Sequence, residues 1–335
     1  VSNVTAGPRP LFAGVVQALL GGFDRLAARP YLILPPLALD LFLWLGPRLH
    51  IETLFRTLAA SVQMPPAGTA DLTTQVQMIR EAITSVGASF NLFSALSTFP
   101  IGIPSLMAST MPTQTPIGMP RIVPLSDPSQ VLLVWLGLTV IGLGLAAVYH
   151  RVLSASAAPG GAPARFLSLW LRVLAMAALT YLGIGVIIFA SVVAASIVSL
   201  IIPFLVTGVA FLGFTLLFWL AVYLAFTPHG LVRYGLGLFR AMRESVDIVR
   251  TNFFSTVTFL TAAVLLSWLT GYVWDLPASD SWFEILAIVG HAFVSAMLLV
   301  ASYIFYIGRR EALLAKRQAP AAVESTSNGR DTRDA

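Results

Sequence analysis

Six long runs of apolar residues divide the chain, and between them polar positions gather into short loops, one long segment and a terminal tail. Each run approaches the ~20 residues that an α-helix needs to cross the ~30 Å hydrocarbon core of a bilayer. The pattern therefore predicts an all-α integral membrane protein with six transmembrane helices, over residues 31–49, 131–149, 174–199, 204–226, 253–274 and 282–306. Residues 11–28 are apolar too, but Gln17, Asp24 and Arg25 interrupt them and Arg29-Pro30 ends them. That pattern predicts, within residues 1–30, a helix lying in the cytoplasmic interface rather than crossing. A second interfacial helix is predicted over 229–252, where Arg233, Arg240 and Asp247 recur every seven residues. There Arg240 with Glu244, and Arg243 with Asp247, have the four-residue spacing of helical ion pairs.

Local signals refine the six runs. Pro35-Pro36 removes two backbone donors inside the first run and predicts a kink or break there. Asp127-Pro128 is an N-cap residue followed by proline at the first helical position, which opens the second. In the third, Ala190 with Ala194, and Ser191 with Ala195 and Ser199, predict a close-packing face. The turn at 200–203, Leu-Ile-Ile-Pro, has no polar side chain. Its backbone needs partners, which predicts a cover, and the long segment 50–130 is the candidate. In that segment 51–62 and 71–90 read as amphipathic helices. Prolines at 100, 104, 112, 116, 120, 124 and 128 then impose an extended strap. The strap keeps Ile117, Met119, Ile122, Val123 and Leu125, so it is expected to be packed, whereas the small, polar tail 319–335 is expected to be disordered.

Composition and charge fix the class and the orientation. The chain is 57% hydrophobic and 10% charged, with mean hydropathy +0.84, too apolar to cover a soluble core with polar surface. If the segments between runs alternate between two sides, only Arg48, Arg56, Arg80 and Arg121 of the 20 basic residues fall outside. Short cytoplasmic loops carry the excess of Lys and Arg, so both ends are expected in the cytoplasm. Arginine dominates, Lys316 being the one lysine, which fits a GC-rich bacterium and hence its inner membrane. The pI near 9.9 reports this loop charge, and no nucleic-acid partner is expected. With no cysteine, disulfides, thiolate metal sites and cysteine nucleophiles are excluded.

Candidate chemistry is sparse. Asp40 lies about nine residues, or ~14 Å, into the first run, and His291 lies at similar depth in the sixth from the other side. Charged groups at that depth cost roughly 2.5 to 3.5 kcal/mol on insertion scales and are functional by default. An Asp40–His291 pair is therefore the candidate intramembrane site. The structural alternative is that Asp40 satisfies backbone freed by Pro35-Pro36 while His291 bonds a nearby hydroxyl. Glu284 reads as the closing residue of a capping box that starts at Ser281. His50 and Glu52 have the spacing of two metal ligands without a third. Arg233, Arg240, Arg243 and Arg250 are candidates for contact with anionic lipid or a cytoplasmic partner. HExxH, GxSxG and GxxxxGK[ST] are absent, and no catalytic, cofactor or metal residue is assigned.

The run from Gly237 to Phe253, with Ala241, Ser245, Val249-Arg250 and Asn252-Phe253, resembles the entry to the fifth span in a broad group of bacterial six-span proteins. That group includes the membrane domain fused to some glycerophosphoryl diester phosphodiesterases. The Arg29-Pro30 entry is similar as well, while Val246 stands where such proteins often have Trp. The resemblance implies the six-span architecture and transfers no catalytic residue. The phosphodiesterase itself would need a separate barrel of about 250 residues. The expected function is binding, as an accessory or assembly subunit that contacts membrane lipids and a membrane-protein partner. The alternative is a carrier for a small or lipid-like solute using Asp40 and His291.

Overall fold

The structure is a computed structural model that describes residues 11–62, 70–110 and 112–328. Along the chain run α1 (Leu11–Ala27), α2 (Leu34–Leu45), the short strand β1 (Arg48–His50), α3 (Glu52–Ser61), α4 (Ala70–Ser89), α5 (Met107–Thr110) and β2 (Ile122–Pro124). There follow α6 (Pro128–Ala157), α7 (Phe166–Ile201), α8 (Val206–Leu224), α9 (Thr227–Tyr234), α10 (Leu238–Thr251), α11 (Phe253–Trp274) and α12 (Glu284–Asn328). Among the described residues five segments are long and apolar enough to cross a membrane: α6, α7, Val206–Tyr234, α11 and Glu284–Gln318. A sixth is counted if Gly14–Ala27 and Pro30–Leu45, bent by 99° at their break, form one broken span. The protein is an α-helical, multipass membrane protein.

The expected first span differs most from its sequence reading. Pro35 and Pro36 do not kink a long helix; they stand in the first turn of α2, where a missing N–H is no loss. A 3-10 turn, Pro30–Ile33, precedes α2, and strand β1 follows. The 12 residues of α2 span only about 18 Å, short of the ~30 Å core. The single interfacial helix expected over 229–252 is two helices, because Gly235 takes a left-handed φ of 57° and ends α9. In the expected tail α12 continues to Asn328, and residues 329–335 lie outside the described part.

The chain packs into two compact units. One comprises Arg29–Tyr149 and Leu266–Ala296. Here β1 and β2 pair in parallel, Leu49 opposite Val123, and Asn91 Oδ1 accepts from the N–H groups of Leu49 and Phe93, both at 3.2 Å. α3 and α4 form a helical hairpin, and Arg80 donates from Nε to the carbonyl of Val62 at 3.1 Å. The strap is packed, but through its first half: Ile101, Ile103, Leu106 and Met107 are buried. Ile117 and Met119, expected to hold it down, are 66% and 82% exposed. The close approach of the turn around Leu96 to α6 requires Gly142, since a Cβ there would lie 2.6 Å from the Leu96 carbonyl oxygen.

The other unit comprises Val1–Ala28, His150–Leu265 and Met297–Ala335. α1 lies against α12 through Gly22, where a Cβ would stand 2.7 Å from the carbonyl oxygen of Met297. α7 and α8 form an antiparallel hairpin in which Ser191 sits where a Cβ on Gly213 would go. At the turn of that hairpin Leu200 is 88% and Phe204 80% exposed. The break between α8 and α9 is repaired by buried Ser245, whose hydroxyl donates to the carbonyl of Tyr223 at 2.8 Å and accepts from the N–H of Phe226 at 3.1 Å.

Candidate functional site

Asp40 is fully buried in α2. Its Oδ1 accepts from the Ser105 hydroxyl at 2.5 Å and from the backbone N–H of Met107 at 3.0 Å. Asp40 thus supplies the start of α5 with the acceptor that short helix lacks, and so ties the strap to α2. The Ser105 hydroxyl accepts in turn from the N–H of Ala108 at 3.0 Å. Around this polar knot Leu43, Trp44, Leu106, Met107, Ala287 and Ile288 form an apolar cluster that excludes water. Trp44 Nε1 donates to the carbonyl of Ser279 at 2.8 Å, which holds the turn before α12 against α2.

The sequence-predicted partner lies beside this knot. His291 Nδ1 stands 3.7 Å from Asp40 Oδ2, beyond hydrogen-bond length but within ion-pair distance. Neither atom has a hydrogen-bond partner of its own among the described residues. The other ring nitrogen of His291 lies 3.3 Å from the Ser295 hydroxyl. Elements of both sequence readings are therefore present at once: the imidazole reaches a hydroxyl and also faces the carboxylate. The backbone that Asp40 satisfies is that of α5, however, and not that of the proline turn. A carboxylate with one oxygen committed and one free, beside an imidazole, is chemically able to hold a proton or a small cation between Oδ2 and Nδ1.

The structure brings His50 and Glu52 together: His50 Nδ1 lies 3.6 Å from Glu52 Oε2, while its Nε2 meets the carbonyl of Ala88 at 2.7 Å and Glu52 also pairs with Arg56. No cluster of three or more possible metal ligands exists among the described residues. The capping box at Ser281 is half formed: its hydroxyl accepts from the N–H of Phe283 at 3.2 Å. The Ser281 N–H donates to the carbonyl of Ala278 at 2.9 Å, so the donor that Glu284 would have used is taken. At the start of α6 the cap is as expected. The Ser129 hydroxyl and N–H donate to Asp127 Oδ1 at 2.7 and 2.8 Å and hold its carboxyl below the usual carboxylate range.

The ion pairs expected along 229–252 are replaced by pairs with α12. Glu244 accepts from Arg310 Nε at 2.8 Å and from the Tyr306 hydroxyl at 2.5 Å, and Asp247 accepts from Arg317 at 2.6 Å. Arg240, Arg243 and Arg250 remain exposed. Arg233 is not at the surface with them. It is buried and donates to three carbonyls: from Nη1 to Ser154 at 2.8 Å and Ala158 at 2.9 Å, and from Nη2 to Pro159 at 2.7 Å. Those acceptors are the last turn of α6 and the loop after it, so Arg233 acts as a C-terminal cap and is withdrawn from lipid or partner contact.

A polar network that sequence reasoning did not assemble fills the same unit. His229 Nε2 shares a 2.8 Å hydrogen bond with the Ser302 hydroxyl, and its ring lies tilted by 51° against that of Tyr303, with centroids 4.4 Å apart. The Tyr303 hydroxyl is 3.2 Å from His150 Nδ1, and the Arg310 guanidinium lies 3.9 Å over the Tyr234 ring. The available signal was on α12: Ser302, Tyr306 and Arg310 recur every four residues at the end of an apolar run. Compared with known proteins, the chain matches no family model, no curated protein and no solved structure.

Proposed function

We propose that this chain is a six-span protein of a bacterial cytoplasmic membrane that acts by binding, as an accessory or assembly subunit. What supports the six-span reading besides the apolar runs is the pattern of residues 237–253, which resembles the entry to the fifth span of the membrane domain found with some glycerophosphoryl diester phosphodiesterases. In this reading the bent pair Gly14–Ala27 and Pro30–Leu45 makes the sixth crossing, its first half running along the cytoplasmic interface, and α12 ends on the cytoplasmic side. The charge asymmetry of the loops supports that orientation. Single cysteines introduced into this cysteine-free chain test it. A membrane-impermeant maleimide should label Thr113→Cys and Ala278→Cys from outside, but Gln17→Cys and Ala162→Cys only after permeabilisation. Labelling of Gln17→Cys from outside would leave five crossings and overturn the orientation.

The observation that carries the binding reading is the fate of the acids on α10. Glu244 and Asp247 are drawn to Arg310 and Arg317, so the exposed Arg240, Arg243 and Arg250 are left without ion pairs among the described residues. An unneutralised basic face at the membrane border favours an acidic partner surface. The triple variant Arg240→Glu, Arg243→Glu, Arg250→Glu should insert and melt like the parent. In native mass spectrometry of its own membranes it should lose at least about tenfold of any stoichiometric protein partner, as expected when charge complementarity becomes repulsion. A partner retained at parental stoichiometry would sink the proposal. The carrier reading stays as a second one because Asp40 Oδ2 and His291 Nδ1 face each other with no other bond among the described residues.

A further inference from the structure

A cleft of about 450 Å³ opens beside the start of α7, lined by Arg165, Ser168, Arg172, Leu171, Ala175 and Leu238 among others. Its size falls in the roughly 300–1,000 Å³ range of small-ligand sites. Arg165, Ser168, Arg172 and Ala175 follow one another at three- and four-residue steps, so they share one face of the helix. Along that face the lining passes from cation to hydroxyl to cation to methyl. Arg172 is the last charged residue before a long interval: from Val173 to Val232 there is no Asp, Glu, Lys or Arg. The cleft therefore stands where the chain changes from charged loop to bilayer core, at the depth of lipid headgroups.

Its electrostatics are one-sided. No acidic residue lines the cleft, and Arg165 has no ion pair among the described residues. The first turn of α7 contains no acid, and no side chain caps it, so nothing offsets the positive field there. Arg172 is held in place by the carbonyls of Gly235 and Leu236, the second at 3.1 Å. Both bonds leave from Nη1. The Nε and Nη2 donors of this five-donor group stay available. Two cations at the rim with Leu167, Leu171 and Leu238 as walls fit an amphiphile with a negative head and apolar chains.

We propose that this cleft is a binding site for the phosphate headgroup of an anionic phospholipid, with the acyl chains along Leu171 and Ala175. It is independent of the partner face on α10. The test uses the full chain purified in mild detergent and titrated with phosphatidylglycerol or phosphatidylcholine of matched chains, read by native mass spectrometry. One phosphatidylglycerol should bind before the rest and at least about tenfold more tightly than phosphatidylcholine. Arg165→Gln, which removes an exposed and unpaired cation, should weaken that first adduct about fivefold, the loss expected for one cation at an anionic headgroup. Arg25→Gln, an equally exposed cation on α1, should leave it unchanged. Equal binding of the two lipids, an unchanged adduct in Arg165→Gln, or an equal loss in Arg25→Gln would overturn the site. Displacement of the lipid by millimolar inorganic phosphate would show a free-anion site instead and would equally reject a lipid headgroup.

Discussion

Replacing Asp40 by alanine is expected to release the strap from α2 and to lower the stability of its unit by about 3 to 5 kcal/mol, since two donors are left without an acceptor at roughly 1 to 3 kcal/mol each. These donors are the Ser105 hydroxyl and the Met107 N–H, and the second is buried backbone with no other acceptor among the described residues. His291 would be left facing a cavity. The measurement is thermal unfolding in detergent together with limited proteolysis, where cleavage within 100–110 should appear in the variant first. Asp40→Asn separates structure from chemistry. The amide oxygen still caps α5, so the fold should survive within roughly 1 to 2 kcal/mol, but no charge remains to hold a proton or cation against His291. If Asp40→Asn also leaves every cellular phenotype unchanged, the carrier reading loses its support and Asp40 is a structural cap. If it folds and abolishes activity, the pair is the functional centre.

Arg233→Ala should be comparably damaging, at about 3 to 5 kcal/mol, since it leaves three buried or half-buried carbonyls at the end of α6 without a donor, each costing roughly 1 to 3 kcal/mol when fully buried. Arg233→Lys should recover part of this, because an ammonium can reach some of the same acceptors but cannot reproduce the planar fork. Arg240→Gln, seven residues along the same stretch, should change stability by less than about 0.5 kcal/mol, as exposed substitutions away from special contacts do. Unfolding in detergent, followed in parallel for the three variants, checks the ranking. Equal midpoints for Arg233→Ala and Arg240→Gln would mean that the α6 cap contributes nothing.

These two residues also mark how far the sequence could be read. Asp40 and His291 were legible because a charge in an apolar run is rare enough to demand a partner, and depth along each helix gave their approximate level. The role of Ser105 and Met107 was not legible, because they belong to a proline-rich segment assigned to the outside, and nothing in its period shows that α5 returns to α2. Arg233 looked equivalent to Arg240 by its seven-residue spacing. Periodicity gives the angle of a side chain around its own helix, not which neighbour occupies that direction. The ion pairs of Glu244 and Asp247 failed to form within α10 for the same reason: Arg310 and Arg317 on α12 offer partners that a local pattern cannot contain.

By itself the sequence determined the solvent. A chain with long uncharged runs must place them in lipid, and within lipid the backbone must bond to itself, so helices at those runs follow from hydrogen-bond bookkeeping alone. The N-cap at Asp127 was equally local. Tertiary structure decided what the prolines do, which half of the strap is buried, which arginines are free, and what Asp40 holds. Each of those depends on a residue far away in the chain, and the energy of a buried polar group is set by whichever donor or acceptor the fold brings within about 3 Å.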